Sequence, residues 1–206
     1  MTNMATTPGE LDREHGVLAK TVRKSASLFL MVGLPGSGKT TAARRIEREN
    51  NAIRLSPDEW MKPLFGVSDV DGKRDILEGR LIWVASQVLL RGGNAILDFG
   101  LWGREERAAL HWLAADLGAR AKSVSASAGA DVLLQRVRRR WEQDPTSTWE
   151  MDASTLDRWR AAFQEPEPDE LDGSWRPDVP PGFRTWRDWM RDRWPSSVGS
   201  GVADEP

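Results

Sequence analysis

The stretch GLPGSGKT at residues 33–40 constrains this chain more than any other. It satisfies the spacing G-x-x-x-x-G-K-[ST] at every fixed position, and its flanks agree with it. LFLMVG, residues 28–33, leads in as a continuous apolar run, the pattern of a strand buried on both faces. TAARRIEREN, residues 41–50, leads out as a helix former with apolar positions at Ala42, Ala43 and Ile46. Strand, glycine-rich turn and helix therefore follow in the order a phosphate-binding loop requires. Gly33, Gly36 and Gly38 let successive backbone N–H groups face phosphate oxygens at a helix N-terminus. Pro35, Ser37 and Thr41 belong to the same nucleotide-contacting stretch. Lys39 reaches the β- and γ-phosphates, and Thr40 offers its hydroxyl to Mg²⁺.

Beyond the loop, strand and helix patterns alternate. AIRLS at 52–56 predicts a second strand, Gly72 to Arg91 a long helix, and NAILDF at 94–99 a third strand. A helix over 104–117, a strand over 120–126 and an arginine-rich helix over 129–143 complete the series. Such alternation predicts an α/β fold, a parallel sheet with helices on both faces, whose ligands sit beyond the carboxyl ends of the strands. Gly33, Ser56 and Asp98 each stand at such an end. Asp98 closes ILD, where a carboxylate orients Mg²⁺ through water; a strand-end acid making a turn is the plainer alternative. In LSPDEW, residues 55–60, Ser56 and Glu59 have capping-box spacing with Pro57 at the first helical position. Asp58 is thus either a helix-dipole partner or a base facing the γ-phosphate, and the two roles are compatible.

LLQRVRRRW, residues 133–141, spaces Arg136, Arg139 and Arg140 three and four residues apart on one helix face. They fit a clamp over a triphosphate, and equally a solvated face balanced by Glu142 and Asp144. Arg104 and Arg107, just past Asp98, are either substrate contacts or an exposed helix start.

Composition excludes several classes. The chain has 29 Lys plus Arg against 31 Asp plus Glu, a formal charge of −2, so no global field holds a polyanion or membrane surface and nucleic acid is disfavoured as a partner. The absence of cysteine removes disulfides, thiolate zinc sites and thiol nucleophiles. The apolar stretch after Arg23-Lys24 is too short to span a bilayer and runs into the glycine-rich loop, so a soluble cytoplasmic protein is expected.

With GLPGSGKT, LSPDEW, AILDFGLWGREER and LLQRVRRR in that order, the chain resembles the small P-loop kinases grouped around polynucleotide 5′-hydroxyl kinases, chloramphenicol phosphotransferase and zeta toxins. It is more similar still to a branch of AAA-type ATP-binding proteins carrying S-x-D-x-W, D-F-G and a late F-x-x-P-x-x-x-E stretch, here Phe163 to Glu170. The resemblance implies a P-loop NTPase three-layer sandwich. It also implies ATP and Mg²⁺ as cofactors, Lys39 and Thr40 as their ligands, Asp58 as the base taking the acceptor hydroxyl proton, and Arg136 and Arg139 as lid residues. Two departures concern the acceptor. Polynucleotide kinases usually carry an arginine three positions after the base, where this chain has Met61 with Lys62 beside it. They commonly carry an asparagine two positions after the third-strand aspartate, where this chain has Gly100. The expected acceptor is accordingly a hydroxyl on a small molecule. A nucleic-acid 5′-hydroxyl kinase and a non-catalytic, nucleotide-dependent switch that binds a partner are the alternatives.

The C-terminal part is rich in tryptophan. FRTWRDWMRDRW, 183–194, spaces Phe183, Trp186, Met190 and Trp194 for one helix face. Packing onto the core is the expected role, against a wall of an aromatic pocket. The expected organisation is a polar segment at 1–25, a kinase domain at 26–165, a proline-rich surface connection and Trp-rich helix at 166–195, and a flexible tail at 196–206.

Overall fold

Strand β1 (Ser27–Val32) is buried at every position because both of its faces are covered. Leu28, Leu30 and Val32 join one apolar cluster and Phe29 and Met31 another, the alternation that a strand imposes on successive side chains. The computed structural model describes residues 25–68, 70–145, 148–172, 175 and 177–197. The polar segment up to residue 24 and residues 198–206 of the expected tail lie outside the described residues, while Ser196 and Ser197, expected to belong to a flexible tail, pack against Gly79 instead.

From β1 the chain runs through α1 (Lys39–Asn50), β2 (Ala52–Leu55), α2 (Pro57–Phe65), α3 (Lys73–Leu90), β3 (Asn94–Gly100), α4 (Arg104–Asp116) and β4 (Arg120–Ser125). It continues through α5 (Ala130–Gln143), α6 (Ala153–Ala162), α7 (Pro168–Asp172) and α8 (Trp186–Arg193). The four strands are parallel and ordered β2-β3-β1-β4. Connections from β1 run one way toward β2 and β3, whereas β3 crosses back over β1 to β4. The carboxyl end of β1 therefore opens at the point where the order reverses, the crevice in which such sheets bind ligands.

Helix α1 covers one face of the sheet with Ala43 and Ile46. On the other face α3 contributes Leu81, Ile82, Ala85 and Leu89, and α4 contributes Ala108, Ala109, Leu110 and Ala114. The result is the three-layer α/β sandwich predicted from the strand and helix alternation.

The tryptophans of the C-terminal part extend that second face. Trp175, Trp186, Met190 and Trp194 are buried in the same cluster as α3 and α4, each such burial being worth on the order of 1.5–3 kcal/mol. Trp189 meets Trp186 and Trp194 edge-on, with ring centroids 5.9 and 5.7 Å apart. This helix is a packing element, as expected. It is shorter than its periodicity suggests: Thr185 caps it, accepting a hydrogen bond from Asp188 N, and Phe183 lies before it. The proline-rich connection is not a simple surface strap either, since Glu170 and Trp175 within it are buried.

Candidate active site

The phosphate loop follows β1 directly. Gly33 has φ 143°, and a Cβ there would stand 2.3 Å from the Ala126 carbonyl oxygen, so no other residue fits between β1 and the end of β4. The Gly33 N–H donates to the Gly100 carbonyl at 3.0 Å, tying the loop to the end of β3. At Gly36, φ is 81° and a Cβ would lie 2.8 Å from the Leu133 carbonyl of α5. Gly38 is the N-cap of α1, so Lys39, Thr40 and Thr41 form the first helical turn, where N–H groups lack helical partners and the dipole favours anions. Pro35 is half-buried and Ser37 buried, its Oγ without a hydrogen-bond partner.

Lys39 lies half-buried over this loop, its Nζ 3.3 Å from the Leu34 carbonyl. Enclosure lowers its pKa, the Asp98 and Asp58 carboxylates oppose that shift, and Arg140 and Arg74 add to it. Both predicted carboxylates and Arg140 thus act electrostatically on the predicted phosphate-binding ammonium.

Asp98 ends the buried run of β3 and is 6% exposed. Its Oδ2 accepts from Arg54 Nη1 at 3.0 Å, while Oδ1 is buried without a partner. Arg54, on β2, also pairs with Glu59 of α2. A buried carboxylate with one bonded and one orphan oxygen is costly unless a further donor completes it. That orphan, together with the orphan Ser37 hydroxyl and the first-turn Thr40, fits a Mg²⁺ ion held through Thr40 and water. The arginine on Asp98 went unread in the sequence, because its position on β2 carries no motif.

Asp58 occupies the first turn of α2 and is about half exposed. Its expected capping box does not form. Ser56 is the N-cap residue without a side-chain capping bond, and Glu59 turns instead to Arg54 and Arg44. The ion pairs outcompete the reciprocal cap. Pro57 does stand at the start of the helix as expected. What holds Asp58 is Arg74 of α3, whose Nη1 donates to Asp58 Oδ1 at 3.0 Å while Nε donates to Glu78 Oε1, also at 3.0 Å. Arg74 and Glu78 have i,i+4 spacing, the one signal in the sequence that could have found them.

Helix α5 lies against the loop through Leu133 and Val137. Arg136 Nη1 donates to the Gly36 carbonyl at 3.1 Å. Arg139 and Arg140 are exposed on the same helix. Lys62, the residue beside Met61, does not take the place of the missing arginine. It donates to the Pro145 carbonyl at 2.5 Å and to the Thr148 carbonyl, with its Nζ 4.6 Å from the Trp149 ring centroid. Lys62 therefore joins α2 to the connection after α5.

Arg104 stands at the exposed start of α4, one of its two expected readings, whereas both readings of Arg107 are corrected. Arg107 is fully buried, donating from Nε to Glu170 Oε2 at 2.5 Å and from Nη1 to the Leu101 and Trp102 carbonyls at 3.1 and 3.2 Å. Arg104 pairs with Glu167 at 3.0 Å. The acid that closes the F-x-x-P-x-x-x-E stretch is thus the partner of a core arginine. Together they fix the segment after β3, where the Trp102 indole reaches the Gly33 carbonyl at 3.3 Å.

Residues 28–166 match the model of the AAA domain family, and the chain belongs to that family. No curated protein matches it by sequence. Among solved structures it is similar to a chain of the Pnkp1/Rnl/Hen1 RNA repair complex, at 20% identity and TM-score 0.59, over 67% of this chain and 44% of that one. It is also similar to a candidate kinase from Chloroflexus aurantiacus, at 20% identity and TM-score 0.56, over 70% and 84% of the two chains. Chaetomium thermophilum Kti12 in complex with ADP-AlF3 follows at 19% identity and TM-score 0.55, over 84% and 100%. The chain spans less than half of the first of these. Family and fold together identify an AAA-domain protein with the fold of the small P-loop kinases, the group the motifs resemble.

Proposed function

We propose that the protein transfers the γ-phosphoryl group of ATP to a hydroxyl of a small molecule, with Asp58 as the general base. What supports this reading is that two carboxylates, Asp98 on β3 and Asp58 in the first turn of α2, both oppose the lowering of the Lys39 pKa by burial. One is buried and the other half exposed. The buried carboxylate suits the nucleotide side and the accessible one an incoming acceptor.

Backbone N–H groups of 36–41 and Lys39 bind and orient the phosphates. Thr40 and, through water, Asp98 would hold Mg²⁺, which when bound offsets phosphate charge. Arg136, Arg139 and Arg140 on α5 neutralise charge on the transferring group, and α5 packed on Gly36 excludes water. The acceptor oxygen bonds to the γ-phosphorus as the bond to the ADP oxygen breaks, and the hydroxyl proton passes to Asp58.

The near-neutral charge of the chain and its Met61 and Gly100 favour a small acceptor over nucleic acid. The test follows the label of γ-labelled ATP with Mg²⁺ and purified protein, among pooled hydroxyl metabolites and, separately, 5′-hydroxyl oligonucleotides. Label on a small molecule is expected. Label on the oligonucleotide would reassign the acceptor, and label retained on ATP in every pool despite tight nucleotide binding would favour a switch.

A further inference from the structure

The Arg74 guanidinium serves two carboxylates. Its Nη1 donates to Asp58 and its Nε to Glu78, both at 3.0 Å. Glu78 sits inside the molecule, 6% exposed, where the C-terminal segment crosses α3. Its Oε2 accepts from the Trp194 indole Nε1 at 3.1 Å, with Arg193 Nη2 at 4.0 Å. Arg193 is itself fixed by Asp75 of α3 at 2.6 Å and Glu106 of α4 at 2.7 Å. Gly79, next in sequence, makes the crossing possible: a Cβ there would lie 2.5 Å from Ser196 Oγ and 2.8 Å from Ser197 N. All of these C-terminal contacts come from beyond residue 166, where the family match ends.

We propose that Glu78, held by Trp194 and Arg193, is a positioning residue that sets how tightly Arg74 grips the Asp58 carboxylate. This rests on the assignment of Asp58 as the base. When Glu78 is ionised, the charge of Arg74 is divided between two carboxylates and Asp58 is freer to turn to a hydroxyl. When Glu78 is neutral, more of the charge of Arg74 faces Asp58. A buried carboxylate with three donors around it is poised between those states. Burial raises the Glu78 pKa to about 7 and Glu106 adds to the rise, while Arg74, the Trp194 N–H and Arg193 oppose it. The groups facing Glu78 are thus Arg74 on α3, Glu106 on α4, Arg193 on α8 and Trp194 just past it, with Asp75 joined through Arg193. The C-terminal segment is therefore part of the acceptor side of the site, well past Glu170, where the last of the motifs ends.

The experiment uses the full chain with carboxyl-¹³C Asp and Glu, titrated by NMR as wild type, Glu78→Gln and Trp194→Phe. The Glu78 carbon is expected to titrate near pH 7, and the Asp58 carbon to show an inflection at the same pH that vanishes in Glu78→Gln. Trp194→Phe keeps an aromatic ring in place but removes the N–H that favours the charged form, so both inflections move up by roughly one pH unit. An Asp58 carbon indifferent to Glu78, or a Glu78 midpoint unmoved by Trp194→Phe, overturns the proposal without reference to turnover. Where an acceptor is phosphorylated, the rate is expected to rise through the Glu78 midpoint in wild type and to lose that limb in Glu78→Gln, with ATP affinity unchanged. Transfer that keeps the limb in Glu78→Gln sinks the positioning role and leaves the kinase standing. Coupled titrations in a protein that phosphorylates nothing do the reverse.

Discussion

The phosphate side and the acceptor side of the crevice are built by different means. On the phosphate side, backbone conformation does the work: Gly33 and Gly36 adopt positive φ where neighbouring carbonyls leave no room for a Cβ, and Gly38 opens a helix whose first turn leaves N–H groups for an anion. On the acceptor side the side chains do it, through contacts between residues separated in sequence, Asp58 to Arg74 and Glu78 to Trp194. The lesson is one of tolerance. A backbone cradle fails at single positions, whereas a shared network loses function by degrees.

The largest effect is expected from breaking the phosphate side. On the proposed mechanism Lys39→Ala removes the ammonium that offsets phosphate charge, and kcat/KM should fall by about a thousandfold or more, measured by label transfer at saturating acceptor. Next comes the buried pair that anchors the segment beside the loop. Arg107→Ala strands Glu170 and the Leu101 and Trp102 carbonyls, which should cost about 3–5 kcal/mol in urea unfolding. Replacing both Arg107 and Glu170 by apolar residues should recover part of this, since the two carbonyls stay without their donor.

The acceptor side carries a pH signature of similar size. The folded pKa of Glu78, about 7, lies above the ordinary 4.5, so the folded state holds the proton more tightly than the unfolded chain does. Its contribution, roughly 3 kcal/mol, is fully present below pH 4.5 and is lost as pH rises through about 7. Stability measured across that window should fall less steeply in Glu78→Gln. Smallest is Lys62→Met, which frees the connection after α5 from α2. It should cost about 1 kcal/mol and raise the acceptor KM severalfold while ATP affinity holds, read from steady-state kinetics.

This contrast also explains what could be seen in the sequence. The phosphate loop was legible because each of its glycines answers a local requirement, and the strands and helices because β1 and α1 repeat their apolar positions with the right period. Asp98 stood out as a candidate at the end of a strand, and Asp58 at the opening of the helix that follows one. Arg54 and the Glu78–Trp194 contact were not, since nothing in a linear pattern pairs residues across a sheet or joins α3 to a helix one hundred positions later. LSPDEW shows the same limit from the other side. Its spacing fits a capping box, yet Arg54 and Arg44 draw Glu59 away from it, and a cap worth about 1 kcal/mol yields to ion pairs the motif cannot see. Phe163 to Glu170 stood out as a pattern, but its acid gained a purpose when Arg107 proved to be inside the molecule.

Asp58→Asn tests the central claim most directly, by single-turnover transfer of γ-label from ATP alongside an ATP-binding titration of the same protein. The side chain keeps its shape and loses its charge. ATP affinity should stay within about twofold of wild type while transfer slows by about a hundredfold or more. Transfer at the wild-type rate by folded Asp58→Asn would contradict the account and leave Asp58 as a partner of the α2 dipole and Arg74.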